Sequence, residues 1–363
     1  MSLDRIRLAS LHDKVMSAEQ AASFIENDMT VGMSGFTRAG EAKAVPQALA
    51  ERAKKNPLKI TLITGASLGN DLDKQLTEAG VLARRMPFQV DNTLRRAINN
   101  GEVMFVDQHL SETVEHMRNL QLKKPDIAVI EAVAITEDGG IIPTTSVGNS
   151  ASFAIFAEKV IVEINTNTST AFEGLHDIYI PTYRPTRQPI PLTSVDERMG
   201  STAINIDPAK IVGIVFNDTL LDSPSTVTPP DDETQGIANH LIAFFEKEVA
   251  EGRLPKNLGP LQAGIGSIAN AVLTGLKDSP FEDLVMYSEV LQDCTFELID
   301  AGKMKFASGR SITLSQKYGE KVFGNIEAYR DKLVLRTQEM SNHPELVRRL
   351  GIISINTAIE ADL

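Results

Sequence analysis

Short apolar runs and amphipathic stretches alternate along the chain. "MTVGMSG" (29–35), "LKITLITG" (58–65), "EVMFVD" (102–107), "PDIAVIEAVAI" (125–135) and "KVIVEIN" (159–165) predict strands. Several are apolar nearly throughout, as expected when helices cover both faces of a parallel sheet. "AVPQALAERAKK" (44–55) and "LSETVEHMRNLQL" (110–122) have helical spacing and lie between them. "TEDGGIIP" (136–143) predicts a hairpin turn at its Asp-Gly-Gly. This alternation implies an α/β domain built on a mostly parallel sheet.

Two proline-rich stretches break the rhythm. "YIPTYRPTRQPIP" (179–191) predicts an irregular surface excursion. "DSPSTVTPPDDET" (222–234) follows the strand "KIVGIVF" (210–216) and predicts a domain boundary. Alternation then resumes, with a helix over 234–250, the run "GPLQAGIG" (259–266) and a helix over 267–276. "DLVMYS" (283–288) follows, then a helix over 291–301, a strand in "RDKLVLR" (330–336), a helix over 343–350 and a strand from 351 to 363. The expected organisation is two open α/β domains, 1–221 and 222–363.

Composition narrows the class. Two domains suit 363 residues, and 42% apolar with 23% charged residues is ordinary for a globular chain. A net charge of −12 argues against non-specific nucleic-acid binding. It leaves room for a local basic pocket and an anionic ligand. One cysteine, Cys294, excludes an intramolecular disulfide. No signal-peptide pattern opens the chain and no run of 18 apolar residues occurs, so a soluble cytoplasmic protein is expected.

Candidate chemistry gathers at glycine-rich turns after strands. "GIGSIANAV" contains G-x-G-x-x-A at Gly264, Gly266 and Ala269, the type of turn whose backbone N–H groups meet an anion at a helix N-terminus. Glu289, in "DLVMYSEVLQD" (283–293), closes the next strand at the spacing of a ribose-holding acid, so an NAD-dependent oxidoreductase is one reading. Against it, Gly259 and Pro260 interrupt the preceding strand. An acid at that position is also what a helix cap or a solvent-facing strand end looks like. "GMSGFTRAG" (32–40), "TGASLGN" (64–70) and "PTTSVGNS" (143–150) are three further turns of the same kind, more than packing alone requires. The six histidines lack metal-ligand spacing, so no metal site is expected, and neither a G-x-S-x-G elbow nor a P-loop is present. Cys294 reads as a core cysteine.

Taken in order, "SGFTRAGEAKAVPQAL", "LITGASLG", "AITEDGGIIPTTSVGNS", "LGPLQAGIGSIANAVL", "YSEVLQD" and "RRLGIISINTAIEAD" resemble the acetyl-CoA hydrolase/transferase branch of the class I CoA-transferases. Within it they are most similar to the succinyl-CoA:acetate CoA-transferases. The resemblance covers the whole chain and implies an active site in the cleft between the two domains. It makes Glu289 the catalytic nucleophile, passing through an acyl-glutamyl anhydride and a glutamyl-CoA thioester. It places the Asn342 amide at the oxyanion site, although by position alone Asn342 would cap the helix beginning near Pro344. It assigns Gly264, Ile265, Gly266, Ser267, Ile268 and Ile359 to coenzyme A, and Ser67 to the acyl pocket. Small carboxylates, acyl-CoA and a second copy of the chain, as a homodimer, are the implied partners.

Some positions depart from the family pattern. Leu221, in "NDTLL", replaces a basic residue, and Val90 replaces a threonine. Family members continue for well over a hundred residues beyond "INTAIEADL". The second domain is therefore expected to be C-terminally incomplete, and the chain to be one piece of a longer enzyme. Alternatives within the chemistry are propionyl-CoA:succinate transfer and acetyl-CoA hydrolysis. Outside it stand the NAD reading and an inactive CoA-binding fragment.

Overall fold

The computed structural model describes residues 3–66, 68–226 and 229–358. Its residues group into two compact units. The first holds residues up to Pro189 with Met199–Ser223 and Arg336–Met340; the second holds Ile190–Arg198, Pro224–Leu335 and the chain from Ser341 onward.

In the first unit the strands are β1 (Thr30–Met33), β2 (Ile60–Ile63), β3 (Leu82–Met86), β4 (Met104–Phe105), β5 (Ile127–Ile135), β6 (Ile141–Pro143), β7 (Lys159–Asn165), the two-residue β8 (His176–Asp177) and β9 (Ile211–Asn217). Seven of them form a sheet in the order β4-β3-β2-β1-β5-β7-β9, with parallel pairing, and β6 folds back antiparallel on β5. All nine residues of β5 are buried, which explains their continuous apolar run: both faces of the central strand are covered. Thr136 N–H bonds the Gly140 carbonyl at 2.8 Å and closes the predicted hairpin. The strand order reverses between β1 and β5. Just past β1, the helix Ala44–Lys55 occupies the predicted span. The N–H groups at its start, which have no partner within the helix, are satisfied by the buried Glu163 carboxylate of β7, which accepts from Lys43, Ala44 and Val45 at 2.8, 2.9 and 3.1 Å.

The second unit contains β10 (Pro260–Ala263), β11 (Leu284–Tyr287), β12 (Val290–Leu291), β13 (Met304–Gly309), β14 (Ser311–Ile312), β15 (Leu333–Arg336) and β16 (Ile353–Ile355). The order β16-β10-β11-β13-β15 is parallel between neighbours, and β12 pairs with β14 in a separate two-stranded ribbon. The order reverses at β10, between β16 and β11. Pro260 opens β10 rather than breaking it, since a strand's first residue can do without its N–H.

Several predicted elements are shorter in the structure. The strand expected over 102–107 is only Met104–Phe105, at the sheet edge, with Met104 56% exposed. The helix expected over 110–122 spans Thr113–Arg118 and ends as Leu120 turns to φ 61. The helix expected from 291 starts at Asp293, because Val290 and Leu291 are drawn into the β12–β14 ribbon. The strand expected over 351–363 is Ile353–Ile355, followed by irregular chain to residue 358. β13 was not foreseen. Among the described residues, no helix is long and apolar enough to cross a membrane.

Candidate active site

Glu289 lies in the two-residue step where the chain leaves β11 and enters β12. The neighbouring strand steps in parallel from β13 to β14 through the single residue Arg310. Tyr287 pairs with Ser308 before the step and Val290 pairs with Ser311 after it, so the register is unchanged across it. That register sets Glu289 opposite Arg310, and Arg310 N–H bonds the Glu289 carbonyl at 2.8 Å. Gly309 makes the close passage possible: a Cβ there would lie 2.7 Å from Leu291 Cγ.

The side chains follow the backbone. Arg310 is fully buried, and its Nη2 lies 2.5 Å from Glu289 Oε1. Asn342 Nδ2 donates to the same oxygen. The Glu289 side chain keeps 36% of its surface exposed. Burial pushes its carboxyl up, but the Arg310 charge and the bonds from Asn342 and Arg310 outweigh that and hold it below the usual carboxylate range. The group is therefore ionised at neutral pH while still reachable from outside.

The glycine turn sits one strand away. Ser288 Oγ donates to the Ala263 carbonyl at 3.2 Å, tying the end of β11 to the end of β10. Gln292 Nε2 reaches the Gly264 carbonyl at 3.3 Å, and Gly264 N–H bonds Ile355 at 3.0 Å. Gly264 is squeezed by the residue that follows β16, since a Cβ there would meet Asn356 Oδ1 at 2.7 Å. Gly266 has φ +147 and N-caps the ten-residue helix Ser267–Leu276. Its N–H face opens where the strand order reverses, the place where open α/β sheets bind ligands. Ile265 stands 66% exposed at the tip. A cavity of about 340 Å³ adjoins this turn, lined among others by Ile265, Gly266, Ser267, Asn270, Gln292 and Cys294.

The structure thus brings Glu289 and Asn342 into contact and puts Gly264 to Ile268 on the adjoining strand end. Ser67 and Ile359 lie outside the described residues. The cap reading of Asn342 is corrected. The helix Pro344–Arg349 is capped at His343 without a side-chain bond, and the Asn342 amide is spent on Glu289. Cys294 is 4% exposed, and burial pushes its thiol up to about 12, which suits a core cysteine. Leu221 and Val90, the two departures, are 59% and 54% exposed. Arg310 was missed altogether. Its only signal is a strand register that no short motif encodes.

Comparison with known proteins supplies the identity of the fold. The family model for the acetyl-CoA hydrolase/transferase N-terminal domain matches residues 2–216. A succinyl-CoA:acetate CoA-transferase of Clostridium kluyveri is 45% identical over 361 residues, covering 99% of this chain and 67% of that protein. An acetyl-CoA hydrolase of Schizosaccharomyces pombe is 43% identical over 370 residues, covering 99% and 71%. Among solved structures, RipA from Yersinia pestis superposes with a TM-score of 0.71 at 18% identity, covering 96% of this chain and 74% of that one. A 4-hydroxybutyrate CoA-transferase from Porphyromonas gingivalis gives 0.64 at 18% identity, covering 97% and 75%. These two share the fold. By its sequence, the chain belongs to the acetyl-CoA hydrolase/transferase family of enzymes.

Proposed function

We propose that the chain moves coenzyme A between an acyl-CoA and a small carboxylic acid, with Glu289 as the covalent relay and succinyl-CoA with acetate as the first pair to test. The observation that carries this reading is the pairing of Arg310 and Asn342 on one oxygen of a partly exposed, ionised glutamate. That arrangement suits a nucleophile better than a ribose holder, whose carboxylate must offer its acceptor oxygens to two hydroxyls.

Both partners engage Oε1, so Oε2 is assigned to attack. Its electron pair adds to the thioester carbonyl carbon, the C–S bond breaks, and CoA leaves as thiolate. The product is an acyl-glutamyl anhydride. The thiolate then adds to the Glu289 carbonyl carbon and expels the first acid as its carboxylate, leaving glutamyl-CoA. A second carboxylate runs the same steps in reverse, so no proton or electron is left over. While the glutamyl carbonyl is attacked, Oε1 becomes the oxyanion, and Asn342 is already placed to donate to it. The buried guanidinium of Arg310 favours the same negative oxygen. The glycine turn offers N–H groups for the CoA moiety.

The exposure of Glu289 also favours a second reading. Water reaching the anhydride or the thioester would make the same site an acyl-CoA hydrolase. Incubation with succinyl-CoA or acetyl-CoA, followed by peptide mass spectrometry, tests both. Glu289 should carry CoA as a thioester that borohydride converts to an alcohol. An unmodified Glu289 under turnover conditions sinks the reading. A panel of acetate, succinate, propionate, butyrate and water as acceptors then separates transfer from hydrolysis.

A further inference from the structure

Glu289 is fastened to the glycine turn from both sides along its own chain. One residue before it, Ser288 is 1% exposed, and its Oγ donates to the Ala263 carbonyl at 3.2 Å and accepts the Ala263 N–H at 3.4 Å. Three residues after it, Gln292 Nε2 donates to the Gly264 carbonyl at 3.3 Å. Two consecutive carbonyls at the end of β10 are thus held by two side chains that bracket Glu289. The Gln292 bond is not the one its place in the chain calls for. Gln292 N-caps the helix Asp293–Asp300 with φ −113 and ψ 176, yet its side chain makes no capping bond. A capping side chain accepts a helix N–H through an oxygen. Gln292 instead gives its donor to another strand. The helix start is secured without it: the Gln292 carbonyl accepts the Thr295 N–H at 2.9 Å, and Asp293 accepts the Ser315 N–H and Oγ at 2.9 and 2.5 Å.

What this bond controls is one peptide plane. Gly264 has no Cβ, so its own ψ has few steric limits and leaves the Gly264–Ile265 peptide free to turn over. That peptide is trans, and in a trans peptide the C=O and N–H point opposite ways. With the Gly264 carbonyl held toward Gln292, the Ile265 N–H points away from it. The turn then runs on through Gly266, at φ +147, into the helix Ser267–Leu276. Packing does not hold the tip in its place: Ile265 is 66% exposed, and a Cβ on Gly266 would meet nothing within 4 Å. The Ser288 bonds end one peptide earlier, at Ala263, so the orientation of the next peptide depends on Gln292.

We propose that Gln292 is a positioning residue: its amide sets the Gly264–Ile265 peptide and so fixes how the glycine turn faces Glu289, which aligns a bound acyl-CoA with the carboxylate. The link to catalysis rests on the transferase reading, which gives that turn to coenzyme A. The tether itself does not. Alignment of this kind acts on the rate of attack more than on affinity, because a displacement of about 1 Å at the reacting atoms costs up to about a hundredfold while most ligand contacts survive.

Gln292→Met keeps the length of the side chain and removes its donor; Gln292→Glu sets an ionised acceptor against the Gly264 carbonyl. Hydrogen exchange of a peptide covering 262–268, in the full chain, reads the tether without needing activity. Protection there should fall about fivefold in both variants, the size expected of one lost hydrogen bond, and melting curves establish that each is folded. Equal protection in wild type and both variants overturns the tether. Single-turnover formation of glutamyl-CoA, followed by intact mass, reads the positioning. At saturating acyl-CoA the rate should fall about tenfold to a hundredfold in Gln292→Met, with KM for acyl-CoA within about threefold and the final adduct still near one per chain. A merely structural role would lower the number of chains that label and leave the rate per labelled chain at the wild-type value. That result, or a loss confined to KM, overturns the positioning role. A fall in protection in a protein whose wild-type form never labels at Glu289 retains the tether and sinks the transferase reading, together with the positioning role that depends on it.

Discussion

Replacing Arg310 with glutamine should move the acid limb of Glu289 acylation to higher pH. Charge centres about 4 Å apart interact by about 4 kcal/mol at an effective permittivity near 20 and by about 1 kcal/mol in water. Glu289 is 36% exposed, which places the pair between these limits, at roughly 2 kcal/mol after screening. At about 1.4 kcal/mol per pH unit this is a rise of about 1.5 in the midpoint. The sign is set by the depressed value. Glu289 is nucleophilic when ionised, its ionised form is lost as pH falls, and removing the cation makes that loss begin at higher pH. Burial, no longer opposed by Arg310, pushes the same way. The assay is the rapid-quench rate of glutamyl-CoA formation, read by intact mass between pH 4.5 and 8. Arg310→Lys keeps a charge and should leave the limb nearly in place while losing rate through poorer geometry. Melting curves check that both variants fold, because the substituted side chain is wholly buried. An acid limb in Arg310→Gln that superimposes on wild type would refute the electrostatic account of the pair.

Other consequences are simpler to read. Glu289→Ala should remove the CoA adduct and lower turnover by at least about a thousandfold, with CoA affinity by calorimetry little changed. Asn342→Ala should lower kcat by about a hundredfold to a thousandfold and move KM little, the signature of a donor that acts mainly on the oxyanion; an effect confined to KM would contradict it. Gly309→Ala forces a Cβ to 2.7 Å from Leu291 Cγ and should cost about 1–3 kcal/mol, seen as a lower Tm together with slower acylation.

The helices Ala44–Lys55 and Ser267–Leu276 matched their sequence spans because the cues were local. Apolar spacing defines one, and the Gly-x-Gly turn starts the other. β13 was illegible for the opposite reason. "MKFASG" contains a lysine, small residues and a glycine, and it is a strand because β11 and β15 flank it, not because of its own pattern. Arg310 inherits that blindness. An arginine after a glycine reads as surface until the register places it opposite Glu289. Asn342 was visible as a polar residue before a helix, and local rules made it a cap. Its actual partner is 53 residues away in sequence. Glu41 and Lys43 likewise sit in a stretch whose charge suggests solvent, whereas the sheet buries both.

The unchanged register between the β11–β12 and β13–β14 steps has a consequence for how activity appears during folding. Glu289 and Arg310 meet only when two parallel chains have paired without slippage, and such pairings are non-local and slow compared with helix formation. A refolding sample should recover its helical dichroism while Glu289, though ionised, still lacks the Arg310 contact that fixes it in place. Acylation competence is therefore a late clock for the second unit: it starts when the strands lock, and a slip of one residue turns Arg310 to the opposite face and stops it.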